Sequence, residues 1–136
     1  MLRTETRARA RALQILYAWD VAGRPAVGTV LARLAPLWGA AAELARAAEL
    51  ATRAVAGQPG FDREIAAAVQ HWRLERVGVV ERNILRLALA ELAEGVTPPR
   101  VVIDEAVTLA HWFAGPQAPG FVNGVLDAVA REAGAL

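Results

Sequence analysis

Clusters of glycine and proline cut this chain of 136 residues into segments of helical length. Each segment is rich in good helix formers, and none alternates between apolar and polar residues as a half-buried strand does. The pattern therefore predicts an all-α fold with about seven helices. The expected helices span residues 4–22, 27–37, 40–56, 61–72, 79–94, 101–114 and 121–133.

Two of the predicted helices indicate how the fold packs. The sixth carries one apolar stripe, as a helix does that lays one side on a core. The fifth is apolar most of the way round, which is typical of a helix at the centre of a bundle. We therefore expect helix 79–94 to be the hub of the fold. Its polar positions are Glu81, Arg82, Arg86 and Glu91.

The chain contains no Ser, Cys or Lys, and this removes most catalytic chemistry. Serine and cysteine nucleophiles, cysteine zinc sites, Schiff-base lysines and Walker-A loops are all excluded. The adjacent Asp104 and Glu105 point about 100° apart on a helix, so they form no carboxylate dyad. His111 has no third ligand nearby, and His71 beside Trp72 is expected to be structural. We expect a binding protein with no catalytic residue, cofactor or metal.

The sequence also lacks the features of a membrane or exported protein. No apolar run reaches the roughly 18 residues that a membrane span needs. Arginines interrupt the N-terminus before any apolar core of a signal peptide begins. The expected protein is soluble and cytoplasmic.

Positive charge is concentrated at the N-terminus, although the net charge of the whole chain is only +1. Residues 1–11 contain Arg3, Arg7, Arg9 and Arg11 against Glu5 alone, a local charge of +3, whereas the remaining residues total −2. A basic arm on a slightly acidic body favours an anionic partner. The alternative is a solvated, frayed helix start.

Helical geometry places polar side chains of this arm on one side of the first helix. At 100° per residue, Arg7, Arg11 and Gln14 fall within an arc of roughly 60°, with Tyr17 about 60° further round and Arg9 almost opposite. Arginine binds phosphates and stacks on bases, while glutamine and tyrosine contact base edges or faces. This side is therefore a candidate RNA-binding face, unless Tyr17 is a half-buried aromatic residue at the helix edge. The core side is expected to hold Ala8, Ala12, Ile15, Leu16 and Trp19.

Five blocks of the sequence resemble the NusB family of bacterial transcription antitermination factors. They are residues 7–9 with 13–19 (RAR and LQILYAW), Trp72 with Arg76, residues 80–92 (VERNILRLALAEL), residues 102–106 (VIDEA, close to the family's INEA) and residues 121–127 (FVNGVLD, the family's signature in full). The blocks occur in the family's order and at nearly its spacing. They cover the chain except residues 22–60, so the combination is highly specific although no single block suffices.

The resemblance implies a fold of two small helical subdomains packed across one another. Here they would form one domain, residues 1–136, with an N-terminal half of about 1–57 and a C-terminal half of about 61–136. It also implies a function, because NusB-like proteins pair with the ribosomal protein NusE and bind the boxA element of ribosomal RNA leaders as single-stranded RNA. The complex joins RNA polymerase and other Nus factors, so that transcription resists termination. Both monomers and dimers occur in the family, and a homodimer could cover the RNA-binding face.

The resemblance assigns site residues as well. The residues that match the family's RNA-side motif are Arg7, Arg9, Gln14 and Tyr17. Phe121 matches the aromatic residue that opens the last signature, and Glu81 matches a position on the NusE side. The full set expected to bind RNA is Arg3, Arg7, Arg9, Arg11, Gln14, Tyr17, Phe121 and Asn123. The residues expected to bind the partner are Glu81 and Arg82.

The basic positions depart from the family's pattern. Glu5 and Thr6 stand where arginine is common, and Pro119 and Gly120 replace basic residues that often precede the signature Phe. Each lost phosphate contact should flatten the salt dependence of single-strand binding by roughly one unit of slope or less. We therefore expect weaker intrinsic RNA affinity and more reliance on the protein partner.

Two other functions stay open at this point. A NusB-like domain also stands at the front of a ribosomal RNA cytosine methyltransferase, whose catalytic domain cannot fit into 136 residues without cysteine. Because Met1 opens the sequence and only a short tail follows Asp127, we expect a complete chain and not a fragment of such an enzyme. The other alternative is a helical protein-interaction adaptor without an RNA role.

Overall fold

The computed structural model describes residues 3–39, 41–69 and 77–136. These residues form six α-helices and one short 3-10 turn, with no strand among them. The all-α prediction is confirmed. The helices are α1 (Thr4–Val21), α2 (Val27–Leu34), α3 (Ala41–Ala68), α4 (Val79–Glu94), α5 (Pro99–Phe113) and α6 (Ala118–Glu132), and the 3-10 turn is Ala35–Leu37.

The third and fourth predicted helices form one continuous helix, α3, so the expected break at residues 57–60 is wrong. Pro59 lies inside α3, where its ring removes a backbone donor but keeps a φ that a helix accepts. Apolar residues continue across it at helical spacing, from Ala54 to Phe61 and Ile65. Because most helical stability in proteins comes from packing of such a stripe, α3 persists through the proline. The division into two halves at this point stays a prediction.

Helix α4 lies at the centre of the fold, as its apolar sequence predicts. It packs against α1, α3, α5 and α6, and its residues from Asn83 to Glu91 are all buried. The polar side chains on this stretch are no exception, since Arg86 and Glu91 are each 1% exposed. The helix ends at Gly95, whose φ of 74° is the left-handed conformation that commonly terminates a helix.

A cluster of polar contacts around Asp20 joins α4 to α1 and α3. The Arg86 guanidinium binds Asp20 (Nη1–Oδ2 2.8 Å) and Asp62 (Nε–Oδ1 2.7 Å). Arg82 Nε and Asn83 Nδ2 also donate to Asp20 Oδ2, at 2.9 and 3.1 Å. Burial by itself would raise the pKa of Asp20, but these hydrogen bonds outweigh it and hold that pKa well below its usual range. The cluster fixes the end of α1 beside the start of α4.

The described helices include none long and apolar enough to cross a bilayer. In the same described part of the chain, no three His, Asp or Glu side chains lie together as a metal site would need. His71, Trp72 and Arg76, which the sequence analysis used, lie outside the described residues.

Candidate nucleic-acid interface

The prediction of which side of α1 faces the core is confirmed. The side chains of Arg7 and Arg11 on the outer side are 40% and 36% exposed, and Tyr17 is 46% exposed. Gln14 is partly buried between them. We call these four residues, Arg7, Arg11, Gln14 and Tyr17, the α1 face. The buried residues on the inner side are Ala8, Ala12, Ile15, Leu16 and Trp19.

Two residues from outside α1 pack onto the α1 face. Glu43, in the first turn of α3, forms ion pairs with Arg7 (Nε–Oε2 3.0 Å) and Arg11 (Nε–Oε1 3.5 Å). Arg11 also donates a hydrogen bond to Gln14 (3.1 Å), and its guanidinium carbon lies 4.8 Å from the centre of the Trp38 ring. Trp38 and Glu43 fall within residues 22–60, where the sequence shows no motif. Only tertiary packing brings them to this surface: Glu43 comes from α3, which packs on α1, and Trp38 from the end of the 3-10 turn.

Arg9 lies on the opposite side of α1 and is only 5% exposed. It donates hydrogen bonds to Glu91 (Nε–Oε1 2.8 Å) and Glu105 (Nη1–Oε1 2.8 Å). The bond to Glu91 raises the pKa of the Arg9 guanidinium and outweighs the opposing effect of burial. The expectation that Arg9 contacts RNA does not fit this burial, because its guanidinium is already bound to carboxylates in the core. We therefore leave Arg9 out of the candidate interface.

The start of α1 also contacts α5. Arg3 is exposed and lines a shallow cleft with Asp104 and Trp112 of α5. Thr6 is buried and donates a hydrogen bond to Glu105 (2.7 Å). Thr6, which stands where the family favours arginine, thus belongs to the α1–α5 contact and not to the exposed surface.

A second candidate region is a groove of about 480 Å³ between the starts of α4 and α6. Glu81 and Phe121 line it together, with Gly78 and Gln117 beside them. The Glu81 carboxylate folds back over Gly78, where any added Cβ would clash with it. A negative charge in the first turn of a helix is stabilised by the helix dipole. The structure thus brings together two residues that the sequence assigned to different partners.

Two other predicted site residues lie outside this groove. Arg82 binds Asp20 (Nε–Oδ2 2.9 Å), so its guanidinium belongs to the contact between α1 and α4. Asn123 is exposed on α6, but it follows Phe121 by two residues and so points roughly 200° away around the helix. Of the residues predicted at the starts of α4 and α6, the groove unites Glu81 and Phe121.

The α1 face runs lengthwise towards the end of the molecule where the groove opens. From Arg7 to Tyr17 the chain climbs ten residues, about 15 Å along the helix axis. Helices α1 and α4 are antiparallel, since Arg9 contacts Glu91 while Asp20 contacts Arg82. The α1 face therefore leads from the end of α4 towards its start, where Glu81 lines the groove.

Comparisons with known proteins agree on one family. The model of the NusB family matches residues 6–131. A curated relative, the transcription antitermination protein NusB of Solibacter usitatus, is 41% identical over 133 residues, which are 96% of this chain and 91% of the relative.

Solved structures share the fold as well. NusB of T. maritima has a TM-score of 0.84 at 27% identity, covering 97% of this chain and 94% of that one. A chain in the crystal structure of antitermination factors NusB and NusE in complex with dsRNA also has a TM-score of 0.84, at 32% identity and with 97% and 99% of the two chains covered. The family model spans most of the sequence, the relative matches nearly end to end, and the helices superpose on known structures. The chain belongs to the NusB family.

Proposed function

We propose that this protein is a transcription antitermination factor that binds boxA-type RNA of ribosomal RNA leaders together with the ribosomal protein NusE. The observation that carries the proposal is the structural similarity of 97% of this chain to a chain in the crystal structure of NusB and NusE in complex with dsRNA. The α1 face supports it, because two partly exposed arginines, a partly buried glutamine and an exposed tyrosine follow one another along one side of a helix. In this proposal the protein acts by binding and catalyses no reaction.

The α1 face offers the chemistry that single-stranded RNA needs. The guanidinium groups of Arg7 and Arg11 can bind phosphates, and the exposed Tyr17 ring offers a surface on which a base can stack. Gln14 can donate to and accept from a base edge. Arg3 lies at the start of the same helix, where its charge would attract the RNA backbone.

We assign the groove to the place where RNA and protein partner meet. There Phe121 would contact RNA, as the family's signature implies, and Glu81 would face NusE, while the exposed Asn123 would contact RNA outside the groove. Arg82 would support the interface through its contact with Asp20 and not by touching the partner. The complex would then join RNA polymerase in the cytoplasm, and a homodimer of the free protein, which the family allows, could cover the α1 face. Sizing the free protein by light scattering tests the last point.

The experiment that tests the RNA role is a gel shift of boxA-type RNA with and without NusE. Replacing Arg7 and Arg11 by Ala should weaken binding about 10- to 30-fold at low salt, at roughly 1 kcal/mol per phosphate contact. The slope of log affinity against log salt should flatten by between about 0.7 and 1.4, since a single strand contributes about 0.7 per contact and Glu43 pairs with both arginines.

The matched control removes two arginines elsewhere. Arg33 on α2 and Arg63 on α3 are both exposed, so the double replacement by Ala changes the net charge equally but leaves the α1 face intact. We expect RNA binding within about twofold of the parent protein, because these charges are solvated. Unchanged binding by the Arg7→Ala, Arg11→Ala protein together with NusE would refute the proposal and favour a helical adaptor without an RNA role.

A further inference from the structure

Glu43 stands between the two arginines of the α1 face. It lies in the first turn of α3 and is only 8% exposed, whereas the side chains of Arg7 and Arg11 are 40% and 36% exposed. One carboxylate oxygen pairs with the Nε of each arginine. A largely buried carboxylate therefore binds both cations from the protein side, while their outer parts stay accessible to solvent.

The position of Glu43 holds its carboxylate in place. A negative charge in the first turn of a helix interacts favourably with the helix dipole, and α3 packs along α1. Arg11 is held further by its hydrogen bond to Gln14 and by the Trp38 ring 4.8 Å away. The arginines thus meet Glu43 in a fixed arrangement, which differs from the changeable pairing of two exposed side chains.

We propose that Glu43 acts as an internal competitor for RNA phosphate and so sets the affinity of the α1 face. This inference rests on the proposed function. A carboxylate and a phosphate present the same kind of oxygen acceptors to a guanidinium, and Glu43 neutralises one of the two positive charges on Arg7 and Arg11. RNA therefore meets a pair with a net charge of +1, and the isolated protein binds it more weakly than two unpaired arginines would. The deficit makes binding depend on the contacts that the protein partner adds.

Glu43→Gln tests this directly, because it removes the charge but keeps the shape and one oxygen that can accept from Arg7. We expect the variant alone to bind boxA-type single-stranded RNA about three- to tenfold more tightly at 0.1 M salt, as expected for one charge removed within a few ångströms of a phosphate. The salt slope should steepen, by up to about 0.7. The gain should shrink when NusE is present, since the partner's contacts then carry more of the affinity.

The matched control is Glu64→Gln, which changes the net charge of the chain by the same amount. Glu64 is exposed on the same helix, but it lies 21 residues after Glu43, about 30 Å along the axis and beyond the screening length. Its affinity should stay within about 1.5-fold of the parent protein. Equal tightening by both variants would overturn the inference, because it would point to total charge and not to Glu43.

A double-mutant cycle separates competition from a structural role. In the Arg7→Ala, Arg11→Ala background, Glu43→Gln should no longer tighten binding, because the cations it frees are gone. Glu43→Asp keeps the charge but draws the carboxylate back from both arginines, so it should also tighten RNA binding, by less than Glu43→Gln does. It serves as the second variant if the Glu43→Gln protein does not fold.

The outcomes distinguish this inference from the proposed function. If the parent protein with NusE binds no boxA-type RNA, or the double alanine variant binds it unchanged, the proposed function fails and this inference fails with it. If those results are as expected but Glu43→Gln leaves the affinity unchanged or weaker, only the competitor role of Glu43 is refuted. Tighter binding with a steeper salt slope, lost in the double alanine background, supports it.

Discussion

Replacing Arg9 by Met should destabilise the protein severely and leave its RNA contacts intact. Arg9 is 5% exposed, and it binds Glu91, which is 1% exposed, through two of its nitrogens. A third nitrogen binds Glu105 at 2.8 Å. Methionine fills much of the same volume without a charge, so the substitution leaves the Glu91 carboxylate buried with its guanidinium partner removed.

The expected loss follows from that unpaired carboxylate. Removing one member of a buried ion pair typically costs about 3–5 kcal/mol, because the desolvation of the remaining charge is no longer offset. For a chain of this length the loss lowers the melting temperature by roughly 10–20 °C. The double substitution of Arg9 by Met and Glu91 by Leu removes both charges. It should recover most of the loss, since apolar residues can often replace a buried ion pair at little cost.

The assay is urea unfolding followed by circular dichroism for both single variants and the double variant, analysed as a thermodynamic cycle. The gel shift with boxA-type RNA and NusE is then repeated at a temperature where every variant is folded. We expect a coupling free energy of several kcal/mol and RNA affinity near that of the parent protein. A stability loss below about 1 kcal/mol would refute the buried-pair reasoning. A large loss of RNA affinity in the folded Arg9→Met variant would show that Arg9 contacts RNA after all.

Two further predictions concern acid stability and α3. The pKa of both Asp20 and Asp62 is lowered in the folded state, against burial, by hydrogen bonds in which Arg86 takes part. Their stabilisation is therefore present above the unfolded pKa of about 4 and is lost as pH falls through the lower folded values. In urea unfolding, the free energy of unfolding should fall below about pH 4. The Asp20→Asn variant should be less stable at pH 7, but its stability should depend less on acid pH. An unchanged dependence of stability on pH in this variant would contradict the reasoning. Pro59→Ala should raise the free energy of unfolding by about 1–3 kcal/mol, because alanine restores a backbone N–H donor inside α3. A lower melting temperature of this variant would show instead that α3 needs its proline.

Much of the fold could be predicted because helical periodicity is local. The inner side of α1 and the all-round burial of α4 follow from residues spaced by three or four positions, and the structure has both. The α1 face was predicted from the same spacing, since Arg7, Arg11 and Gln14 share one side of the helix whatever packs on the other. The family, too, follows from sequence blocks, because they keep their order and spacing.

The break predicted at residues 57–60 shows where local reasoning fails. Glycine and proline carry a propensity penalty that usually ends a helix, but the apolar stripe of α3 continues through them to Phe61 and Ile65. Burial of that stripe against α1, α4 and α6 outweighs the local penalty. The free energy that decides between one helix and two comes from residues on other helices, and no window of sequence contains it.

The sequence by itself determined that the chain is helical, which sides of α1 and α4 are apolar, and to which family it belongs. Only the tertiary structure decided which carboxylates the arginines of α1 pair with. Arg9 meets Glu91 across 82 positions of sequence, and Arg7 meets Glu43 across 36. Two arginines of one short motif thus differ completely, one buried in an ion pair and the other 40% exposed. The physical reason is that the exposure and pairing of an arginine depend on the carboxylates packed around it. The fold brings these carboxylates from distant parts of the chain, so the spacing of neighbouring residues does not reveal them.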